Sequence, residues 1–165
     1  TNLTGTSYDD QLFGDAGRNV LDGGAGDDDL DGRAGNDTLK GGAGNDIYEF
    51  NRGGGQDLIM NASSDVAQLD TLRFGPTIKL TDLRFTRSNQ NLVIGMINST
   101  DQVTIQDWYL GGTNRVGLIA TADGHILNSS DADARTGDFT ITSLAASQAP
   151  QAPPSLGRGR WWCRR

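Results

Sequence analysis

Between residues 5 and 60 a single large apolar side chain returns every nine residues: Leu12, Leu21, Leu30, Leu39, Tyr48 and, after two inserted residues, Ile59. Most of what separates them is Gly, Ala, Asp or Asn. One apolar residue in nine cannot make the stripe of a helix, which needs apolar residues three and four apart. It suits a turn followed by a strand. Six residues rich in Gly, Asn and Asp make the turn, because Gly takes positive φ without a steric penalty. Three residues centred on the apolar one make a short strand whose middle side chain points one way. Each turn and strand carries the chain across once, so two units close one coil. Strands of successive coils then stack ~4.8 Å apart, and the apolar residues of two facing sheets meet in a thin core.

In register the units are GTSYDDQLF from Gly5, GDAGRNVLD from Gly14, GGAGDDDLD from Gly23, GRAGNDTLK from Gly32 and GGAGNDIYE from Gly41. Phe50 and Asn51 are inserted before a degenerate copy, RGGGQDLIM, from Arg52. The sixth place is acidic or amide in every copy: Asp10, Asn19, Asp28, Asp37, Asp46 and Asp57. Alternate units turn on opposite edges, so these residues form two ladders, Asp10–Asp28–Asp46 and Asn19–Asp37–Asp57. Carboxylates stacked one coil apart repel unless something lies between them. A hard cation with oxygen ligands fits, and Ca²⁺ takes roughly six to eight oxygens in flexible geometry.

The pattern resembles the RTX, or haemolysin-type, calcium-binding nonapeptide repeat GGxGxDxUx. GGAGDDDLD matches it at every fixed place, and GGAGNDIYE does so with Tyr48 at the apolar place. The resemblance implies an all-β fold, a parallel β-roll. It also implies that backbone carbonyls of the turns join the sixth-place side chains as ligands. On this reading the donors are Gly23, Ala25 and Asp27; Gly32, Ala34 and Asn36; and Gly41, Ala43 and Asn45. About three to four Ca²⁺ ions are expected, one between each pair of sixth-place residues a coil apart. The first unit departs from the pattern with Tyr8 at the fourth place and reads as an N-terminal capping turn. Asn19 adds no charge, so its ion should be held more weakly. The fifth-place residues Asp9, Asp27, Asn36 and Asn45 either shape the turns or simply favour them and face solvent.

An EF-hand is excluded. Asp27, Asp29, Asp31 and Gly32 fit the start of such a loop, but its twelfth place is Thr38, not Glu, and the flanks are too rich in Gly for helices. A phosphate-binding loop lacks its GxxxxGK[ST].

From Asp70 to Leu127 the pattern changes to short runs rich in β-branched and aromatic residues: DTLRF, TIKLTDLRFTR, NLVIGMI, QVTIQDWYL and RVGLIATADGHIL. These are strand signals, with Asp123-Gly124 a two-residue hairpin turn. The order resembles the haemolysin-type calcium-binding related region that follows RTX repeats. It implies a β-rich cap on the open end of the roll, with Leu92, Ile94, Val103, Ile105 and Trp108 buried and Phe74, Phe85 and Tyr109 in the core or an interface. The expected organisation is a roll over 1–60, a cap over 61–130, and a loop and disordered tail over 131–165. In that tail SSDADARTG reads as a loop, DFTITSL as a last strand, and QAPQAPPSLGRGR as a linker before WWCRR.

The 165-residue chain carries 12 acidic and 4 basic residues in 1–60, net −8, against 9 and 10 in 61–165, net +1, which sums to −7. The charge belongs to the repeats and argues against nucleic acid or an anionic membrane as partner. A single cysteine, Cys163, excludes an internal disulfide framework. No apolar run reaches the ~20 residues of a membrane span. There is no HExxH or GxSxG, and the one histidine, His125, sits beside a hairpin turn, so the chain is not expected to be an enzyme. Thr1 opens the sequence without a methionine or signal peptide, which reads as a fragment from the C-terminal end of a larger protein. The resemblance implies a secreted, extracellular module that folds on Ca²⁺, attached to an upstream domain and exported by a type I system. A monomer is expected. A calcium-dependent carbohydrate- or surface-binding adhesion module is the alternative.

Overall fold

The computed structural model describes residues 1–63 and 68–136. Each repeat contributes one short strand: β2 (Gln11–Phe13), β3 (Val20–Ala25), β4 (Asp29–Asp31), β5 (Thr38–Ala43), β6 (Ile47–Phe50) and β7 (Gln56–Ile59), with β1 (Asn2–Thr4) preceding them. Odd-numbered strands pair in parallel in one sheet, β1–β3–β5–β7, and even-numbered strands in the other, β2–β4–β6. The register places eighth-place residues directly above one another. Leu3, Leu21, Leu39 and Ile59 form one column, and Leu12, Leu30 and Tyr48 the other. Leu21, Leu30, Leu39, Tyr48 and Ile59 are buried, whereas Leu3 and Leu12 of the first coil are only partly so. This is a parallel β-roll.

The repeat register drives this arrangement, but the sheets do not stop where it does. β8 (Thr71–Phe74) and β12 (Leu118–Ala120) continue the second sheet in parallel beyond β6. β11 (Gln102–Ile105) continues the first beyond β7. Antiparallel strands then close both sheets: β10 (Asn91–Met96) and β9 (Leu83–Ser88) on one, β13 (Ile126–Asn128) on the other. The columns extend accordingly, through Ile105 and Leu92 and through Leu72, Ile119 and Leu127. Leu92, Ile94, Val103, Ile105 and Trp108 are all buried. The inserted Phe50 is buried too and meets Phe74 edge to face, centroids 5.9 Å apart, so the insertion fills a corner of the core.

Two local readings are corrected. The hairpin between β12 and β13 has three residues in its loop, not two. Thr121 N–H donates to His125 O at 3.0 Å and Gly124 N–H to Thr121 O at 3.1 Å, with Gly124 at φ 81° in the left-handed position of such a loop. SSDADARTG, read as loop, begins with helix α1 (Ser129–Arg135). Asn128 accepts the Asp131 N–H at 3.0 Å and Asp131 accepts the Asn128 N–H at 3.2 Å, a reciprocal cap. The helix is anchored by Asp133, which accepts from Trp108 Nε1 at 2.6 Å and Arg115 Nη1 at 2.9 Å. The DFTITSL strand, the Pro-rich linker and WWCRR lie outside the described residues. His125 is exposed beside Asp123, and the segment from Asp27 to Thr38 contains strand β4 rather than a loop between helices.

Candidate metal sites in the turns

The turns of the third to fifth units share a backbone form. Their second and fourth places have positive φ: Gly24 and Gly26, Arg33 and Gly35, Gly42 and Gly44. Arg33 is the one non-glycine among them, at φ 66°. In the first two units the corresponding residues, Thr6, Tyr8, Asp15 and Gly17, are not among the positive-φ residues.

This difference separates the sixth-place side chains into two groups. All along the ladder, one carboxylate oxygen accepts the N–H of the sixth-place residue one coil earlier. Asp28 Oδ1 accepts from Asp10 at 2.8 Å, Asp46 from Asp28 at 3.0 Å, Asp37 from Asn19 at 2.7 Å and Asp57 from Asp37 at 2.9 Å. The other oxygen of Asp28, Asp37 and Asp46 is buried and has no partner. In the first two units the corresponding atom is engaged within its own turn. Asp10 Oδ2 accepts from Thr6 N–H at 2.6 Å and the Thr6 hydroxyl at 2.8 Å. Asn19 Oδ1 accepts from Asp15 N–H at 2.8 Å, and its Nδ2 donates to Asp15 Oδ1 at 3.0 Å.

The fifth-place residues run a second, opposite ladder. Asp9 Oδ1 accepts from Asp27 N–H at 2.9 Å, Asp27 from Asn45 at 2.7 Å, Asn36 from Gln56 at 3.0 Å and Asn45 from Leu69 at 2.8 Å. They are exposed, yet their side chains tie coil to coil.

First-place glycines leave room for the unpartnered oxygens. A Cβ on Gly23 would collide with Asp28 Oδ2 and meet Gly41 O at 2.6 Å. One on Gly32 or Gly41 would meet Oδ2 of Asp37 or Asp46. The space at Gly23 is lined by a carboxylate oxygen and a peptide carbonyl oxygen. Among the described residues no three His, Cys, Asp or Glu side chains converge on one point. A cation held here therefore takes most of its ligands from backbone carbonyls, a set that suits a hard ion accepting many oxygens, such as Ca²⁺, and not a soft one.

The electrostatics agree. Burial is the main cause that pushes the carboxyls of Asp28 and Asp37 above the usual carboxylate range, Asp46 up to about 6 and Asp57 up to about 7. Neighbouring carboxylates add to the rise, and the backbone N–H donors oppose it. A buried acid that resists ionisation is one that a cation would stabilise in its charged form.

The ladder on the first edge has a member that the nine-residue register did not reveal. Asp70 Oδ1 accepts the Asp46 N–H at 2.9 Å, and Thr71 pairs with Ile47. The signal was present: Asp70-Thr71-Leu72-Arg73 repeats places six to nine, displaced by the intervening segment. On the second edge Val103 pairs with Asp57, so an apolar residue ends that ladder.

These features define a class: a parallel β-roll of nine-residue units, with acidic ladders in glycine-rich turns able to hold hard cations. The family model for the RTX calcium-binding nonapeptide repeat (4 copies) matches residues 4–39 and 26–59, and that for the haemolysin-type calcium binding protein related domain matches 91–131. Residues 4–59 thus carry RTX haemolysin-type calcium-binding repeats, and residues 91–131 the related haemolysin-type calcium-binding domain. Iron-regulated protein FrpA of Neisseria meningitidis serogroup C is 38% identical over 84 residues, 49% of this chain and 8% of that relative. This chain thus spans a small part of FrpA's length. The AlgE6R3 subunit of the Azotobacter vinelandii mannuronan C5-epimerase, known from a solution structure, aligns over 98% of this chain and 93% of its own at 20% identity and a TM-score of 0.31.

Proposed function

We propose that this chain is a calcium-operated folding module of a larger secreted bacterial protein, its ion-dependent coils disordered where calcium is scarce and rolled up outside the cell. The carrying observation is the set of buried oxygens without partners on Asp28, Asp37 and Asp46, each beside a first-place glycine that leaves room for it, with the Gly41 carbonyl oxygen lining the same space at Asp28. Each is a desolvation cost that, near neutral pH, a bound cation offsets. The repeats, at net −8 and with one fixed apolar place in nine, bury too little to fold against that charge. Ion binding then becomes folding free energy. Low calcium inside the cell keeps the chain threadable for a type I exporter, and higher calcium outside completes it. The ions lie between sixth-place residues one coil apart, with the carbonyls of Gly23, Ala25, Asp27, Gly32, Ala34, Asn36, Gly41, Ala43 and Asn45 as the further donors. Residues 1–60 act as the calcium-loaded roll and 61–130 as its closing segment. Any catalysis belongs to an upstream domain.

The test is circular dichroism of the whole chain during a Ca²⁺ titration from chelator. The expected result is β signal rising with Ca²⁺, in the ~10⁻⁴–10⁻³ M range of extracellular modules, and not with Mg²⁺, which demands tighter octahedral geometry. A roll fully formed in chelator refutes the proposal.

A further inference from the structure

The rung that closes the first turn edge is built differently from those below it. Asp70 takes the ladder place after Asp46, and its Oδ1 accepts the Asp46 N–H as Asp46 accepts that of Asp28. Its second oxygen, however, accepts from Asn61 Nδ2 at 2.7 Å and Gln68 Nε2 at 2.6 Å. Asn61 and Asp70 are 3% and 1% exposed. The Asn61 carboxamide is oriented from its other end. The buried Tyr48 hydroxyl donates to Asn61 Oδ1 at 2.6 Å and accepts the Gly41 N–H at 2.9 Å. Asn61 Nδ2 therefore faces Asp70, together with the carbonyls of Arg115 at 3.1 Å and Thr113 at 3.3 Å. Asp70 thus receives three N–H donors from protein. Asp28 and Asp46 each receive one from the neighbouring coil and keep a second oxygen buried without a partner.

We propose that side-chain amides close this rung in place of calcium. Asn61 and Gln68 present to Asp70 the positive ends of N–H dipoles where the other rungs take an ion. Asn61 is the positioning residue, and Tyr48 holds its orientation. The inference rests on the calcium reading of the other rungs. It divides the ladder into rungs that need the ion and one that does not, and the second lies where the repeats join the strands that follow them. A chelator cannot remove a side-chain amide, so the Asp46–Asp70 rung persists when the ions are withdrawn. The same geometry makes Asn61 the residue that keeps an ion out. Asn61→Asp would leave two carboxylates and the carbonyls of Thr113 and Arg115 facing one another, an oxygen set of the kind Ca²⁺ accepts.

The experiment uses the full chain with Ca²⁺ as the probe. Bound ions are counted by native mass spectrometry for the wild type, Asp28→Ala, Asp70→Asn and Asn61→Asp, and backbone hydrogen exchange of the wild type is followed in chelator. Asp70→Asn should lose no ion, and Asn61→Asp should gain one. In chelator the Asp46 amide should exchange at least ~tenfold more slowly than the Asp10 and Asp28 amides. Loss of an ion in Asp70→Asn, no gain in Asn61→Asp, or equal exchange of the three amides each overturns the inference. Where a variant does not fold, the wild-type exchange decides alone. Asp28→Ala, which removes the ligand oxygens altogether, separates the two readings: if it loses no ion, the calcium reading of the ladder fails, whatever Asp70 does.

Discussion

Replacing Tyr48 by Phe removes one oxygen atom and leaves the ring in its column. The eighth place tolerates any large apolar residue in the other units, where Leu or Ile stands, so a view limited to the core expects almost no cost. The hydroxyl has two buried partners, however: it donates to Asn61 Oδ1 and accepts the Gly41 N–H. Tyr48 is 0% exposed and Asn61 3%. Removing the hydroxyl leaves a donor and an acceptor unsatisfied in a site with no access to solvent. Each such orphan costs ~1–3 kcal/mol, giving roughly 2–6 kcal/mol in all. Tyr48→Leu, which moves the unit towards its neighbours, should cost more, because lost ring volume adds to the same two orphans. The assay is urea unfolding at a fixed, saturating Ca²⁺ concentration, comparing midpoints at unchanged slope. A loss below ~0.5 kcal/mol for Tyr48→Phe would mean that the polar network is not stabilising, and the reasoning from buried partners would fail.

Three further outcomes are expected. Asp37→Ala should lower the bound calcium count more than Asp10→Ala, because Asp37 Oδ2 is buried without a partner while Asp10 Oδ2 is held by Thr6; equal losses by calorimetry would remove the distinction. In chelator any residual roll should become more stable as pH falls from 7.5 to about 5, since Asp46 and Asp57 are raised to about 6 and about 7 when folded. Above the unfolded pKa of ~3.9 the folded state holds protons that the unfolded chain has released, so their contribution to stability is lost as pH rises through the folded values. With Ca²⁺ present the trend should reverse, because protons compete with the ion; the same sign in both conditions, measured by urea unfolding, would contradict this. Gly42→Ala should destabilise far more than Gly53→Ala: both sit at positive φ, costing ~1–2 kcal/mol for an L side chain, but a Cβ on Gly42 would also strike Gly24 O of the preceding coil, while that on Gly53 meets open space. Equal thermal shifts would mean the coils can spread to admit the methyl.

The sequence by itself determined the roll. A nine-residue period with one apolar place and one acidic or amide place admits a single economical arrangement, which puts Leu21 over Leu39 and Asp28 over Asp46. The strands after Asp70 were legible as strands because β-branched and aromatic runs carry a local signal. Their partners were not, since β11 beside β7 joins residues more than forty apart in sequence, and only packing selects such a pairing. Helix α1 was missed because a short Ser-, Asp- and Ala-rich segment has no periodic stripe; Asn128 caps it and Trp108 and Arg115 hold it through Asp133. The difference between Asp10 and Asp28, both acids at the sixth place, is likewise tertiary: one turn folds its own N–H onto the spare oxygen, and the other leaves that oxygen bare. Asp70, Asn61 and Gln68 come together only because two closed sheets fix where the intervening segment must return, and side chains nine residues or fewer apart in sequence meet there against Tyr48 of an earlier coil.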